Sequence, residues 1–326
     1  MMFLIFLMMI GFVKSSSLYQ DFLVMGDWGG LPVWPYEDPA ETHIAEQMND
    51  IAASTGAGFA LALGDNFYYN GVTSVEDKRF KQTFEDVFKG DHLKSRNFFR
   101  VLAGNHDHYG NCSAEIAYSN VSSRWHFPDY YYDFQEIIGN HSVHFVMIDT
   151  VLLSGDSKDQ ITGEDLTGDM YTGPASEQDA NEQWSWINTT LQNSKADFLI
   201  VAGHFPVWSI CEHGPTSLLV EKLKPMLEQN RVSAYLAGHD HCAQHIDEGK
   251  GVSYHGIGAG VVSDPSTKHK DAIPEGSLVW HHDNNYFGAL KGAFGHITVT
   301  KAGLVVNHVD STGKVLYTAP ALSSRN

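Results

Sequence analysis

Phe59-Ala60-Leu61-Ala62-Leu63-Gly64-Asp65 sets five apolar residues, a glycine and a carboxylate in a row. An uncharged apolar run of this length reads as a strand buried on both faces. The glycine after it lets the backbone turn sharply or pass close to a ligand. The same form recurs at Phe22-Leu23-Val24-Met25-Gly26-Asp27, Phe98-Phe99-Arg100-Val101-Leu102-Ala103-Gly104-Asn105-His106 and Val143-His144-Phe145-Val146-Met147-Ile148-Asp149. It recurs again at Phe198-Leu199-Ile200-Val201-Ala202-Gly203-His204 and Val232-Ser233-Ala234-Tyr235-Leu236-Ala237-Gly238-His239. Five of these six runs place Gly directly before the polar residue.

Helical spacing fills the intervals. Residues 41–54 place Ile44, Met48, Ile51 and Ala52 on one face, and 77–88 do the same with Phe80, Phe84, Val87 and Phe88. Residues 177–191 carry Trp184, Ile187 and Leu191, and 218–227 carry Leu219, Leu223 and Leu227, with a kink expected at Pro225. Strands alternating with helices imply α/β units with largely parallel pairing. In such sheets, sites form beyond the carboxyl ends of the strands, where all the polar residues above fall. After Gly251 the pattern changes to strands alone, at 252–257, 293–300 and 304–309. The expected class is therefore α/β, with a second β-sheet packed on the first and helices flanking them, in one domain.

The 326 residues carry a formal net charge of −18, with 43% hydrophobic and 18% charged residues, an ordinary globular balance. So acidic a chain argues against a nucleic-acid groove, which needs clustered Lys and Arg. It does not argue against a phosphate substrate, because bound cations make a locally positive site. Residues 1–13 are almost wholly apolar and are followed by Ser15, Ser16 and Ser17. We read residues 1–17 as a signal peptide and 18–326 as the folded domain, the alternative being a short buried N-terminal helix. No later stretch is long and apolar enough to span a bilayer, so no membrane partner is expected. Sequons at Asn111, Asn120, Asn140 and Asn188 offer N-glycan sites and fit a secretory route, to secretion or the lysosome. Of three cysteines, at least one is unpaired within the chain.

Taken together, the strand-end residues form a donor set. Asp27 and Asp65 offer carboxylates, Asn105 a carbonyl oxygen, Tyr68 a phenolate, and His204, His239 and His241 imidazole nitrogens. Seven mixed donors exceed what one ion needs and suit two metal ions that share a bridging carboxylate. His-Glu-x-x-His is missing, which disfavours a zinc peptidase, and no Gly-x-Ser-x-Gly elbow appears.

Asp27, Gly64-Asp65-Asn66-Phe67-Tyr68, Gly104-Asn105-His106-Asp107, Val201-Ala202-Gly203-His204 and Gly238-His239-Asp240-His241 resemble the five blocks of purple acid phosphatases, within the calcineurin-like metallophosphoesterases. Gly26-Asp27-Trp28-Gly29-Gly30, Phe84-Glu85-Asp86-Val87-Phe88 and His204-Phe205-Pro206-Val207-Trp208-Ser209-Ile210 bring the likeness closer to the small, mammalian-type tartrate-resistant acid phosphatases. The resemblance implies a four-layer α/β/β/α sandwich of two packed mixed sheets. It implies Fe(III) on Asp27, Asp65, Tyr68 and His241, and a divalent ion (Fe, Zn or Mn) on Asp65, Asn105, His204 and His239. The implied reaction is hydrolysis of phosphate monoesters, on small molecules or proteins. A trivalent ion makes hydroxide available even in acid, and it attacks in line with the leaving group. His106 adjoins Asn105 and His213 follows His204 by nine residues, which makes both candidates for protonating the leaving oxygen. A phosphodiesterase or nucleotidase using the same metals, and a secreted iron carrier, are the rival readings.

Two departures from the family bear on this expectation. The cysteine pair that ties the long loop in many mammalian members has no counterpart here. Cys211 and Cys242 instead flank candidate ligands, either as two buried thiols or bonded to each other. The untied loop 154–176 holds Asp156, Asp159, Glu164, Asp165 and Asp169. It reads either as a solvated loop or as an acidic flap that lowers activity until it is nicked.

Overall fold

A computed structural model describes residues 19–154, 177–283 and 292–325. The segment read as a signal peptide and the acidic loop from 155 to 176 lie outside the described residues. The first sheet is built from β1 (Asp21–Met25), β2 (Ala60–Leu63), β3 (Phe99–Leu102) and β4 (Trp125–His126), all parallel. The second holds β5 (Tyr132–Ile138), β6 (His141–Met147), β7 (Phe198–Gly203), β8 (Ala234–Ala237), β9 (Ala243–Asp247), β10 (Ser253–Ile257) and β11 (Leu278–His281). Strands β6, β7, β8 and β10 run parallel at its centre, with antiparallel β5 and β9 beside them and β11 paired to β9. Then β12 (Ala293–Thr300), β13 (Gly303–Asp310) and β14 (Val315–Thr318) return to the first sheet, antiparallel, beside β1.

The two mixed seven-stranded sheets follow the expected class, but the late strands are divided differently from the sequence reading. The run at 252–257 joins the second sheet next to β8, while 293–300 and 304–309 close the open edge of β1. The second sheet thus starts at Tyr132, not after Gly251. An open β1 edge would leave a row of buried backbone groups unpaired, and β12 satisfies it.

Alternation along the strands sorts side chains between two cores. Phe145 and Met147 of β6, with Phe198, Ile200 and Ala202 of β7, face the first sheet. Val146 and Ile148, with Leu199 and Val201, face the outer helices. Phe22 stacks on Phe59 with ring centroids 5.0 Å apart, and Phe145 meets Phe22 edge-on at 5.1 Å, which locks the sheets face to face. α1 (Pro39–Thr55) starts with a capping box at Asp38 and Glu41 and ends at Gly56, whose φ of 76° few other residues adopt cheaply.

Two expected helices contain a wider turn than their apolar spacing suggests. Residues 80–85 form a π-helical turn, closed by Asp86 N–H on Lys81 O. Residues 219–223 do the same, and an α-helical stretch follows at Lys224–Gln229. Pro225 has no N–H to return to Glu221, so the winding changes where the kink was expected.

Candidate metal centre

The donors converge at the carboxyl ends of five strands, β1, β2 and β3 of one sheet and β7 and β8 of the other. Asp27 and Asp65 take φ of 57° and 52° there, and His239 and His241 take 67° and 29°. Such left-handed backbone is uncommon outside glycine, though Asp and His tolerate it better than most. It turns each side chain off its strand and into the space between the sheet ends. Close backbone passage is needed too. A Cβ on Gly104 would sit 2.2 Å from Asp65 Oδ1, and one on Gly238 would sit 2.6 Å from Asp27 Oδ2.

The donors fall into two groups. In the first, the Tyr68 hydroxyl lies 3.2 Å from Asp27 Oδ1 and 2.9 Å from His241 Nε2, which is itself 3.4 Å from Asp27 Oδ1. In the second, Asn105 Oδ1 lies 3.0 Å from His204 Nε2 and 3.2 Å from His239 Nδ1. Asp65 belongs to both. Its Oδ1 is 3.3 Å from His204 Nε2, and ligating atoms of Asp65, Asp27 and His241 lie within 4.8 Å of one another.

The chemistry of this set fits cations. His204 Nδ1 faces the carbonyl oxygen of Leu63 at 2.8 Å, which can only accept, so Nδ1 carries a proton. Neutral His204 would then turn a lone pair toward Asn105 Oδ1 and Asp65 Oδ1, both acceptors. Either a proton or a metal ion must lie among them. Burial opposes the proton, but the Asp65 carboxylate outweighs it and raises His204 to about 9. The Asp65 carboxyl in turn is held well below its ordinary value: burial raises it, and His204, His106 and His239 lower it by more. Burial, then the charges of His213 and His204, keep His239 far below the usual imidazole range, ready to offer a lone pair. Burial and the carboxylates of Asp27 and Asp65 push the Tyr68 phenol well up, so it ionises only beside a cation.

His106 and His213 lie at the rim. His106 Nδ1 is 2.6 Å from the Tyr69 carbonyl oxygen, which turns Nε2 toward Asp65 Oδ2 at 3.9 Å. The exposed His213 ring stacks on His239, centroids 4.4 Å apart.

Several supporting residues were quoted within the sequence blocks without a role. The Asp107 carboxylate accepts from Asn66 N at 2.9 Å, Phe67 N at 3.2 Å and Gly104 N at 2.8 Å, tying the loop of Asp65 and Tyr68 to that of Asn105. Asp240 accepts from His213 N at 2.8 Å and Gly214 N at 3.1 Å. Arg79 donates to the carbonyls of Tyr68 and Gly29 at 2.5 and 2.6 Å. Position in a strand-end block was the signal for the two aspartates. Arg79 has no local signal, because its partners are distant backbone groups. Cys211 and Cys242 are bonded to each other, which resolves the alternatives left open and removes their sulfurs, close to His281, as metal donors. Cys112 is a buried free thiol.

The calcineurin-like phosphoesterase family matches residues 21–243. Tartrate-resistant acid phosphatase type 5 of Oryctolagus cuniculus is 43% identical over 314 residues, spanning 95% of this chain and 93% of that protein. Purple acid phosphatase 17 of Arabidopsis thaliana is 31% identical over 242 residues, spanning 73% and 68%. Among solved structures, GAP50, described as the anchor in the inner membrane complex of Plasmodium, has a TM-score of 0.76 at 21% identity, covering 94% of this chain and 89% of its own. That likeness speaks to the fold alone.

Proposed function

The chain belongs to the calcineurin-like phosphoesterases and, within them, to the tartrate-resistant acid phosphatases, and we propose that Asp27, Tyr68 and His241 hold one ion of its dinuclear centre, that Asn105, His204 and His239 hold the other, and that Asp65 bridges them. The enzyme is an acid phosphatase of the metallophosphoesterase type. A phenolate among hard oxygen donors suits Fe(III) at the first position, with divalent Fe, Zn or Mn at the second. Bound there, the pair would supply a nucleophile from water in acid and neutralise charge on the phosphate.

The protein's own groups do the rest. Leu63 O fixes the His204 ring through Nδ1, which leaves Nε2 for the metal side. Asp65 Oδ1 serves two neighbours at once, taking a hydrogen bond from His106 N at 2.9 Å while facing His204 Nε2 at 3.3 Å. Tyr69 O holds the proton on His106 Nδ1 when the ring is neutral, and a second proton on Nε2 is the one available to a leaving oxygen. His213, exposed over His239, stands at the other rim to steady the phosphate or the leaving group. We further read the enzyme as a glycosylated protein of the secretory route, secreted or lysosomal, on the strength of its leader and sequons.

One observation carries this reading: seven side chains able to bind a cation, from the carboxyl ends of strands in both sheets, face one another in two groups that share Asp65. Elemental analysis and a visible spectrum of the purified protein test it. Two metals per chain including iron, a charge-transfer band lost in Tyr68→Phe, and turnover of aryl phosphate well above that of bis-aryl phosphate are expected. One metal per chain, or a band untouched by Tyr68→Phe, would sink the ligand assignment. Bound iron without turnover would favour a carrier.

A further inference from the structure

His213 is exposed, and among the described residues its imidazole is held only by stacking on His239, with ring centroids 4.4 Å apart. Its backbone is held far more tightly. Two residues before it, Cys211 is bonded to Cys242, which directly follows His241. On the other side, His213 N and Gly214 N donate to the two carboxylate oxygens of Asp240 at 2.8 and 3.1 Å. Ser209 also donates to Asp240, and Gln244 spans the same gap, its Nε2 donating to Ser209 Oγ at 2.6 Å and its Oε1 accepting from Ile210 N at 3.1 Å.

The segment bearing His213 is thus fastened at both ends to the four residues His239 to Cys242, which carry two of the metal-binding side chains. We propose that the Cys211–Cys242 disulfide is a positioning element for the hydrolytic reaction, holding His213 over the centre at a fixed height above His239. The geometry argues for a permanent brace. Cys211 is 0% and Cys242 1% exposed, so a thiol in solution does not reach the bond in the folded state. The covalent link, across 31 residues of sequence separation, confines the segment in a way that the hydrogen bonds to Asp240 alone do not, because each of those opens and re-forms in local fluctuations while the disulfide does not. A reacting group displaced by about 1 Å can lose up to about a hundredfold in rate, so a brace two residues away is enough to matter.

The proposal rests on the reading of His213 as a group at the rim of the reaction, and its test separates the two. Cys211→Ala/Cys242→Ala is compared with His213→Ala and with the triple variant, each checked for two bound metals. Should the double alanine variant fail to fold, Cys211→Ala/Cys242→Val refills the lost volume. Hydrogen exchange of residues 209–214 is expected to quicken without the disulfide. At the same time kcat should fall about tenfold with KM little changed, and that fall should vanish in the His213→Ala background. Unchanged exchange at 209–214, or a kcat loss that simply multiplies that of His213→Ala, would overturn the brace. A slow His213→Ala beside a double cysteine variant at parental rate overturns the brace alone. If His213→Ala itself matches the parent, the role of His213 fails and the brace falls with it.

Discussion

His204 Nδ1 lies 2.8 Å from the carbonyl oxygen of Leu63, so the residue directly after β7 of the second sheet is oriented by the last residue of β2 in the first. The contact sits one residue before Gly64 and two before Asp65. It makes the packing of the two sheets and the geometry of the centre one problem: a slip between sheets would turn the imidazole away from Asn105 and Asp65. This explains why the large packed rings of Phe22, Phe59 and Phe145 matter to chemistry that they never touch.

Gly104→Ala should abolish activity with the fold intact. The added Cβ would lie 2.2 Å from Asp65 Oδ1, 2.5 Å from Asp65 N and 2.8 Å from His204 Cε1. The Asp65 carboxylate must move, and with it its contact to His204 and its approach to Asp27 and His241. We expect metal content to fall below two per chain and kcat/KM to drop by at least about a hundredfold. Gly56→Ala is the control: φ is 76° there, with nothing within 4 Å of the new Cβ. It should cost about 1 kcal/mol of stability and leave metal content unchanged. Elemental analysis of the two variants decides the matter, and a Gly104→Ala protein with two metals would refute it.

Tyr109→Phe should weaken metal retention more than it weakens folding. Asn105 Nδ2 donates to the Tyr109 hydroxyl at 3.2 Å, one helical turn on, which fixes the amide so that Oδ1 faces His204 and His239. Without that acceptor the amide is free to turn. Loss of an orienting partner typically costs metal affinity about ten- to a hundredfold. The expected outcome is faster loss of one ion to a chelator, with the thermal midpoint nearly unchanged.

The sequence made the parallel strands legible because buried runs such as Phe198 to Gly203 carry no charge and end in glycine. It made the donors legible because they all follow those runs. The half-exposed strands were not legible: between its buried ends β5 alternates exposed residues such as Asp133 and Gln135 with half-buried ones such as Glu136, and its apolar signal is diluted. Nor was the sheet to which β12 and β13 belong, since partner choice depends on which edge is left open by residues far away in the chain. The Cys211–Cys242 bond stood only as an alternative, because it needs Cα atoms to approach within 6.7 Å across 31 residues. Asp107 could be quoted but not assigned, as most of its partners are backbone amides that any sequence possesses.

Glu115→Gln should stabilise the protein in alkali and do nothing in acid. Glu115 is wholly buried, and its Oε2 accepts from Asn66 Nδ2 at 3.0 Å. Burial and then the Asp107 carboxylate push its carboxyl well above the ordinary value. The folded protein therefore binds a proton that the unfolded chain gives up above about pH 4.3, and stability drains as pH rises past that point. The amide keeps the shape and the hydrogen bond to Asn66 with nothing to ionise. From pH 4 to pH 8 the thermal midpoint of the variant should gain on that of the parent, and a gap between the two that stays constant would exclude this account.

The opposite sign holds for a chain of buried imidazoles at the seam between the sheets. His245 Nδ1 meets the Tyr317 hydroxyl at 2.9 Å and its Nε2 meets Ser253 Oγ at 2.8 Å. Ser253 Oγ meets His255 Nε2 at 2.9 Å, and His255 Nδ1 meets His308 Nε2 at 3.3 Å. Burial, reinforced for two of them by neighbouring imidazoles, lowers all three, His255 far down and His308 to about 3. The unfolded chain takes up these protons below about pH 6.5 while the native state refuses them, so the stability is whole above 6.5 and is lost as pH falls toward 3. Each imidazole kept neutral costs about 1.4 kcal/mol per pH unit in that window. In His308→Phe one of the three no longer titrates, and His255 loses a hydrogen-bond partner. The variant should be less stable than the parent at pH 7, yet lose less on going to pH 4, so that the two urea midpoints converge in acid. Parallel losses would mean that the imidazoles do not set the acid limit of this fold. Convergence would mean that an acid phosphatase carries an acid-sensitive seam.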